Sequence, residues 1–549
     1  MAVVRLLQFA FVSLVVLAPA VRAQEPGHGM AAEKLGTVHF VTSCRASTAP
    51  GFDRAIALLH SFEFRAAIAG FSAVLAADSS CAIAHWGIAL SRWGNPFGSS
   101  IRPAARLRPG RDEIERADRA TTAAPRERAY IAAAAQLFAD YEHISQRARI
   151  VAYERAMGAL AAEQPADTEA AIFHALALAA SAPLDDKTYA NQLKAVAILD
   201  GIAAQQPDHP GLVHYLIHSH DIPALAGGGL SAARRYASIA PSAPHALHMP
   251  SHIFTRVGAW EESIATNTKS VAAARREGSI AEALHASDYM MYAYLQTGQD
   301  RAAKGILDGL PALATQFDPN AIGSAAGGSA GVYALAAIPA RWALERGAWA
   351  EAAALDARPS AFVWADAVTW FARALGAARM GDASTARAAL DTLRLMQARL
   401  TTDGEADWAE KVEISRLSGA AWVAFAGRDT SGAIALAREA AVREERTEKS
   451  AISPGPLAPA RELLGDLLLE VGQPAPALAE YEATLKTEPN RLRALLGAMR
   501  AASLAGDRAT AARYRAQVRA TCPARGPGDR PGCRGVLSSE DPPPPRRVP

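Results

Sequence analysis

The chain is predicted to be an all-α solenoid of stacked antiparallel helix hairpins. Three observations carry this. From Phe52 onward apolar residues recur every three or four positions, in Ala-rich runs punctuated by Gly and Pro, which is the spacing of an amphipathic helix. No stretch alternates convincingly with the period of two that a half-buried strand needs, so no sheet is expected. A turn glycine recurs at a fixed interval: Gly472 and Gly506 are 34 residues apart, and so are Gly347 and Gly381. A fixed period of this size marks a repeat array. At 549 residues the chain has length for several ordinary domains or for one extended array.

In chain order, residues 1–23 read as a secretory leader. Arg5 supplies the charge, residues 6–18 the apolar run, and Val21-Arg22-Ala23 the small residues before a cut. The run is short for a membrane span, which needs roughly 20 residues. Cleavage is expected to leave a periplasmic or secreted protein with no membrane span. Residues 24–95 hold a polar lead-in and the first hairpins. There Phe62 stands where a turn glycine would be, and Trp86-Gly87 opens the next unit. Cys44 and Cys81 flank the first hairpin and are candidates to pair in an oxidising compartment.

Residues 96–206 combine an insertion, part loop and part charged helix over 95–125, with long helices that lack the turn phrasing. Residues 207–318 are rich in histidine. Residues 319–521 hold the C-terminal repeats. They open on the Gly/Ser-rich run PNAIGSAAGGSAG, read as a place for the array to flex or divide. Residues 522–549 form a tail in which Cys522 and Cys533 bracket a Pro/Gly-rich loop, read as a local disulfide staple. The Pro-rich end beyond it is expected to be disordered.

Residues 458–491 read APARELLGDLLLEVGQPAPALAEYEATLKTEPNR. Gly465, Gly472, Ala477, Tyr481 and Pro489 stand at positions 8, 15, 20, 24 and 32 of that unit. This resembles the tetratricopeptide repeat (TPR). Gly258, Gly298 and Gly427 head similar phrases. The resemblance implies a right-handed superhelix with small residues where paired helices approach. It also implies a concave groove that takes a peptide or protein.

The formal net charge of +2 gives no field for nucleic acid. The P-loop, the GxSxG nucleophile turn, HExxH, CxxCH and the zinc CxxC pair are all read as absent. The distinguishing chemistry is histidine. Seven of the 14 lie between residues 208 and 252. His214 and His218 share a helix face at i, i+4, a metal-ligand spacing. His245, His248 and His252 fall on one arc of a helix if Pro250 does not break it. His285 opens the next hairpin with Asp288 and Tyr289. The candidate metal ligands are therefore His214, His218, His245, His248, His252 and His285. Asp221, Asp288 and Tyr215 are candidates to orient them. Zinc, iron and copper suit imidazole, and Met249 and Met290 would favour copper if their sulfurs faced the site.

His209 is read as a helix cap and His220 as exposed. Lone His60, His85 and His174 are read as hydrogen-bonded core residues, and the glycines 227–229 as a flexible link. The expected function is an exported scaffold, acting mainly in binding, with a histidine-lined metal or ligand site. The alternatives are a metal-dependent hydrolase or oxidoreductase in the solenoid groove, or a metal carrier.

Overall fold

A computed structural model describes residues 33–98, 100–522 and 530–533. The leader and the Pro-rich end of the tail lie outside the described residues. Within them are 25 α-helices, three short 3₁₀ turns and no strand. Each helix packs on the next in sequence, and several also meet the helix after that, as in Val363–Arg379 against Ala406–Ala426. No described helix is long and apolar enough to cross a membrane.

The repeat turns follow from two-residue chemistry. Gly381 and Gly506 take left-handed φ of 80°, where a Cβ is penalised. This lets the next N–H reach back: Asp382 N to Ala377 O at 3.0 Å and Asp507 N to Ala502 O at 2.9 Å. The same aspartates then cap the following helices by accepting from Thr385 N and Thr510 N. One helix is closed and the next opened within two residues. At the third such turn Gly427 is not the left-handed residue. That position falls to Arg428, at φ 67°, with Asp429 as the cap. Phe62, predicted to stand at a turn, is left-handed at φ 55°. Its ring is locked among His214, Tyr215, His218 and His245.

Two large apolar cores fill the N-terminal and C-terminal stretches, the first from Leu35 to Ala325 and the second from Tyr333 to Cys533. Cys44 pairs with Cys81, and Cys522 with Cys533. The insertion contains one helix, Ala104–Arg119. Residues 446–459, between the helices Thr430–Glu445 and Ala460–Glu470, cross back over the molecule. Tyr289 Oη donates to the carbonyls of Ala451 and Ser453, both at 3.1 Å. Lys449 Nζ donates to Asp221 at 3.0 Å.

Candidate metal centre

Three elements bring the six predicted histidines together. The Pro210–His220 helix starts on a proline and carries His214 and His218 one turn apart. It closes tightly on the preceding core because residue 211 is glycine: a Cβ there would sit 2.6 Å from His60 Nδ1. The next element is split, as Pro250 threatened, into Pro244–His248 and Pro250–Arg256. Yet Met249 keeps right-handed helical angles, and Pro250 takes the first position of the second piece, where no N–H is missed. The Ile280–Gln296 helix supplies His285. All six rings are buried.

They form two triads rather than one ring: His214, His218 and His245, then His248, His252 and His285. In each, one nitrogen per residue lies within 4.8 Å of the others. Nitrogens bound about 2.1 Å from one ion lie roughly 3–4 Å apart, so small side-chain movements complete either set. The triads share a wall, with ring centroids 6.0 Å apart for His218 and His252 and 5.9 Å for His245 and His248.

The tautomers follow from the partners. His214 Nδ1 lies 2.6 Å from the His60 carbonyl, which only accepts. His245 Nδ1 faces Glu282 Oε1 at 3.1 Å, and His252 Nδ1 faces Asp221 Oδ2 at 2.9 Å. His248 Nδ1 faces Asn267 Oδ1 at 2.7 Å, and Asn267 Nδ2 is donated to the Ser263 carbonyl, which orients the amide. In all four rings Nδ1 therefore carries the proton and Nε2 presents a lone pair. Nε2 of His214, His218 and His245 is buried with no partner. Nε2 of His248 and of His252 face each other at 3.1 Å.

Two facing lone pairs repel unless a cation lies between them. Protonation is disfavoured: burial pushes His248 down to about 3 and His252 below the ordinary value despite Asp221. Burial, then neighbouring histidines, also pushes His214, His218, His245 and His285 well below it.

His218, His245, His252 and His285 line a cavity of about 220 Å³. Its other walls are the two interruptions of the repeat. Phe97 of the insertion stacks on His218 with centroids 4.0 Å apart. Residues 319–330, the Gly/Ser-rich run, form the roof of the cavity. Glu282 holds that roof: Oε1 takes the His245 proton while Oε2 accepts from Ser324 Oγ and Ala326 N, both at 3.1 Å. Asn95 Nδ2 and Arg106 donate to the carbonyls of Ala325 and Asn320 across the seam.

No family model and no curated protein matches this sequence. Several solved helical-repeat structures are similar in fold only. Human IFIT1, solved as a dimer with m7Gppp-AAAA, is 11% identical over 80% of this chain and 90% of its own, with a TM-score of 0.39. The P58(IPK) TPR domain is 13% identical over 68% of this chain and 96% of its own, TM-score 0.20. Cut9 with Hcn1, from an APC/C hetero-tetramer, is 13% identical over 90% and 96%, TM-score 0.25. At these values the likeness says nothing about a site, and the chemistry rests on this chain's own residues.

Other predicted residues fall differently. Asp221 orients His252 and is itself fixed by Arg256 Nε at 2.9 Å and by Lys449. Burial would raise its carboxyl, but those two cations outweigh burial and hold it well below the usual range. Tyr215 reaches His60 Nδ1 at 2.9 Å, so it acts one residue behind His214. Asp288 is not an orienting group, because it forms a buried ion pair with Arg341. Met290 Sδ accepts the Thr268 hydroxyl at 3.4 Å, which weakens its case as a ligand.

His209 does occupy the N-cap position, but its ring makes no cap bond and instead meets Glu169 Oε1 at 2.9 Å. His220 is half-buried on the Leu216 carbonyl. Of the glycines 227–229, Gly229 is close-packed, since a Cβ on it would lie 2.7 Å from Ile253, whereas Gly227 is exposed with open space around it.

A third triad, His60, Glu169 and His209, has ligand spacing as well. Its facing atoms already satisfy one another: Glu169 Oε2 meets His60 Nε2 and Oε1 meets His209 Nε2, both at 2.9 Å. It reads as a buried tie that fixes His60, whose carbonyl fixes His214.

Glu282, Asn267 and the His60 carbonyl were not legible as site groups, because each lies on another helix at no diagnostic spacing. Residues 327–331 read Gly-Gly-Ser-Ala-Gly, the GxSxG spacing of a serine nucleophile turn. The strand that strains such a turn is absent among the described residues.

Proposed function

We propose that this protein is a helical-hairpin scaffold built around a two-ion transition-metal centre, one ion per histidine triad. The observation that carries the reading is the set of buried Nε2 atoms, which in His214, His245, His248 and His252 are left as acceptors because the proton is held on Nδ1. Three converge without any partner, and two oppose each other at 3.1 Å. Buried polar groups are otherwise almost always paired. An all-imidazole donor set suits zinc, copper or iron.

An ion held this way supplies Lewis acidity or, if redox-active, electron transfer. The chain's own residues hold its ligands neutral, orient them, and leave four of the six rings on a cavity. That opening favours a working site over closed storage. The leader of residues 1–23 makes a periplasmic or secreted setting part of the proposal.

Elemental analysis of untagged full-length protein, loaded with Zn(II), Cu(II) or Fe(II) and dialysed, tests it. We expect about two ions per chain, and about one in either His214→Ala/His218→Ala or His248→Ala/His252→Ala. Wild-type protein that retains none of the three metals would overturn the reading.

The peptide-binding reading attaches to a separate cavity of about 500 Å³ lined by Trp364, Trp408, Glu444 and Lys449. Its two tryptophans stack at 4.3 Å, so a peptide lodged there would change their fluorescence. An unchanged spectrum at saturating peptide would count against it.

A further inference from the structure

The cavity over the histidines has a one-sided charge. Arg92, Arg102 and Arg106 line it together with four of the histidines, and no Asp or Glu does. None of the three arginines forms an ion pair with a carboxylate among the described residues. Arg102 is anchored by Nε on the Trp93 carbonyl at 2.8 Å and by Nη2 on the Asn95 carbonyl, so its fork is fixed. Its remaining Nη1 is buried with no partner, as is Arg92 Nε. Burial, with Arg106 and Arg149 nearby, pushes the Arg102 guanidinium down to about 9, which still leaves it charged at neutral pH. A buried cation with an open donor and no counter-ion is costly.

Phe64, Trp93, Phe97 and Phe362, with Ile322 and Ile452, give the wall an apolar, partly aromatic stretch, beside small and polar residues such as Asn95, Asn320 and Ser324. Pockets for drug-sized ligands run to about 300–1,000 Å³, and this one, at about 220 Å³, suits a smaller guest.

We infer that this cavity binds a small organic carboxylate with a flat apolar body, its carboxylate read by Arg102 and Arg92 and its body lying against the aromatic wall above the histidines. The inference rests on the metal-centre reading for what lies beneath the ligand, but not for the recognition itself. Arginine is the side chain best suited to a planar carboxylate. The two interruptions of the repeat then have one purpose. The insertion brings Phe97 and Arg102, and the Gly/Ser run forms the facing wall of the cavity.

The test is calorimetric titration of the full-length protein, metal-free and Zn(II)-loaded, with sodium benzoate, benzyl alcohol and inorganic phosphate. Benzoate is expected to bind saturably in both states. The neutral alcohol and phosphate should bind at least about tenfold more weakly, and Arg102→Gln and Arg92→Gln should each weaken benzoate by about tenfold or more. Both variants should keep wild-type far-UV CD. If Arg102→Gln does not fold, Arg92→Gln decides alone.

Absence of benzoate binding in both states overturns the inference. So does binding unchanged in the variants, or phosphate bound as tightly as benzoate. Metal content is read separately. Arginine-dependent benzoate binding by a protein that takes up no metal would remove the metal centre and leave this site. Two retained ions without benzoate binding would do the reverse.

Discussion

Four of the six imidazoles, His214, His245, His248 and His252, are oriented by what Nδ1 touches. Because Asp221, Asn267, Glu282 and the His60 carbonyl accept from Nδ1, Nε2 of those four rings is fixed as an acceptor. This has a pH consequence for the metal-free protein. The ordinary imidazole value is 6.5, and burial takes His248 to about 3. Between those values the unfolded chain holds more protons than the folded one, so unfolding free energy falls as pH falls. Stability from these rings is complete above 6.5 and is lost progressively below it. The melting temperature of metal-free protein is therefore expected to drop between about pH 7.5 and about pH 5; a higher value at the acid end would contradict the buried neutral assignment. The six ring positions were legible in the sequence because histidine is scarce and these are bunched. The residues that set their protons were not, because Asn267 and Glu282 look like any helical polar residue until neighbouring helices are stacked.

At the scale of elements, the Gly-Asp turns were legible from the 34-residue interval, and their mechanism is a left-handed closure followed at once by a cap. The phrase at 427–429 misled by one residue: the glycine is present, but the exposed Arg428 bears the left-handed angle. A non-glycine residue there costs about 1–2 kcal/mol, and glycine's extra chain entropy offsets roughly half of that. Arg428→Gly should therefore stabilise by up to about 1 kcal/mol in urea unfolding; a loss of stability would show that the arginine makes a compensating contact. The interruptions were the least legible elements. Residues 95–103 and 319–330 have neither period nor propensity, and their role as wall and roof depends on meeting across more than two hundred residues of chain. Pro250 was legible as a risk but not in outcome. The break occurs, the chain axis survives it, and His245 is assigned to one triad while His248 and His252 go to the other.

Over the whole molecule, from Leu35 onward the described residues form one unit, and buried ionic groups help tie its C-terminal repeats to the histidine-bearing helices. Arg491 is fully buried between Glu345 and Glu462, both at 2.7 Å, and also reaches Tyr292 Oη at 3.1 Å on the helix that carries His285. Truncating such a cation strands the buried Glu345 carboxylate and leaves Glu462 to Arg493 alone, so Arg491→Met is expected to cost about 3–5 kcal/mol in urea unfolding followed by far-UV CD. A cost below about 1 kcal/mol would mean that the carboxylates re-pair or take up protons cheaply. The all-α class could be read from periodicity alone, but this cross-bracing could not, since Arg491 and Glu345 carry no mark of each other.

The roof over the histidines also has a position in time. The ligand set is complete at His285, whereas its cover comes from residues 319–330 and from Ala451 and Ile452. A chain emerging N-terminus first at about 5–20 residues per second displays all six rings for on the order of ten seconds before the last of that cover exists. Ions need not be threaded through a finished wall. On the two-ion proposal they can be captured by a nascent half-protein, before residues 319–330 and 451–452 cover the histidines.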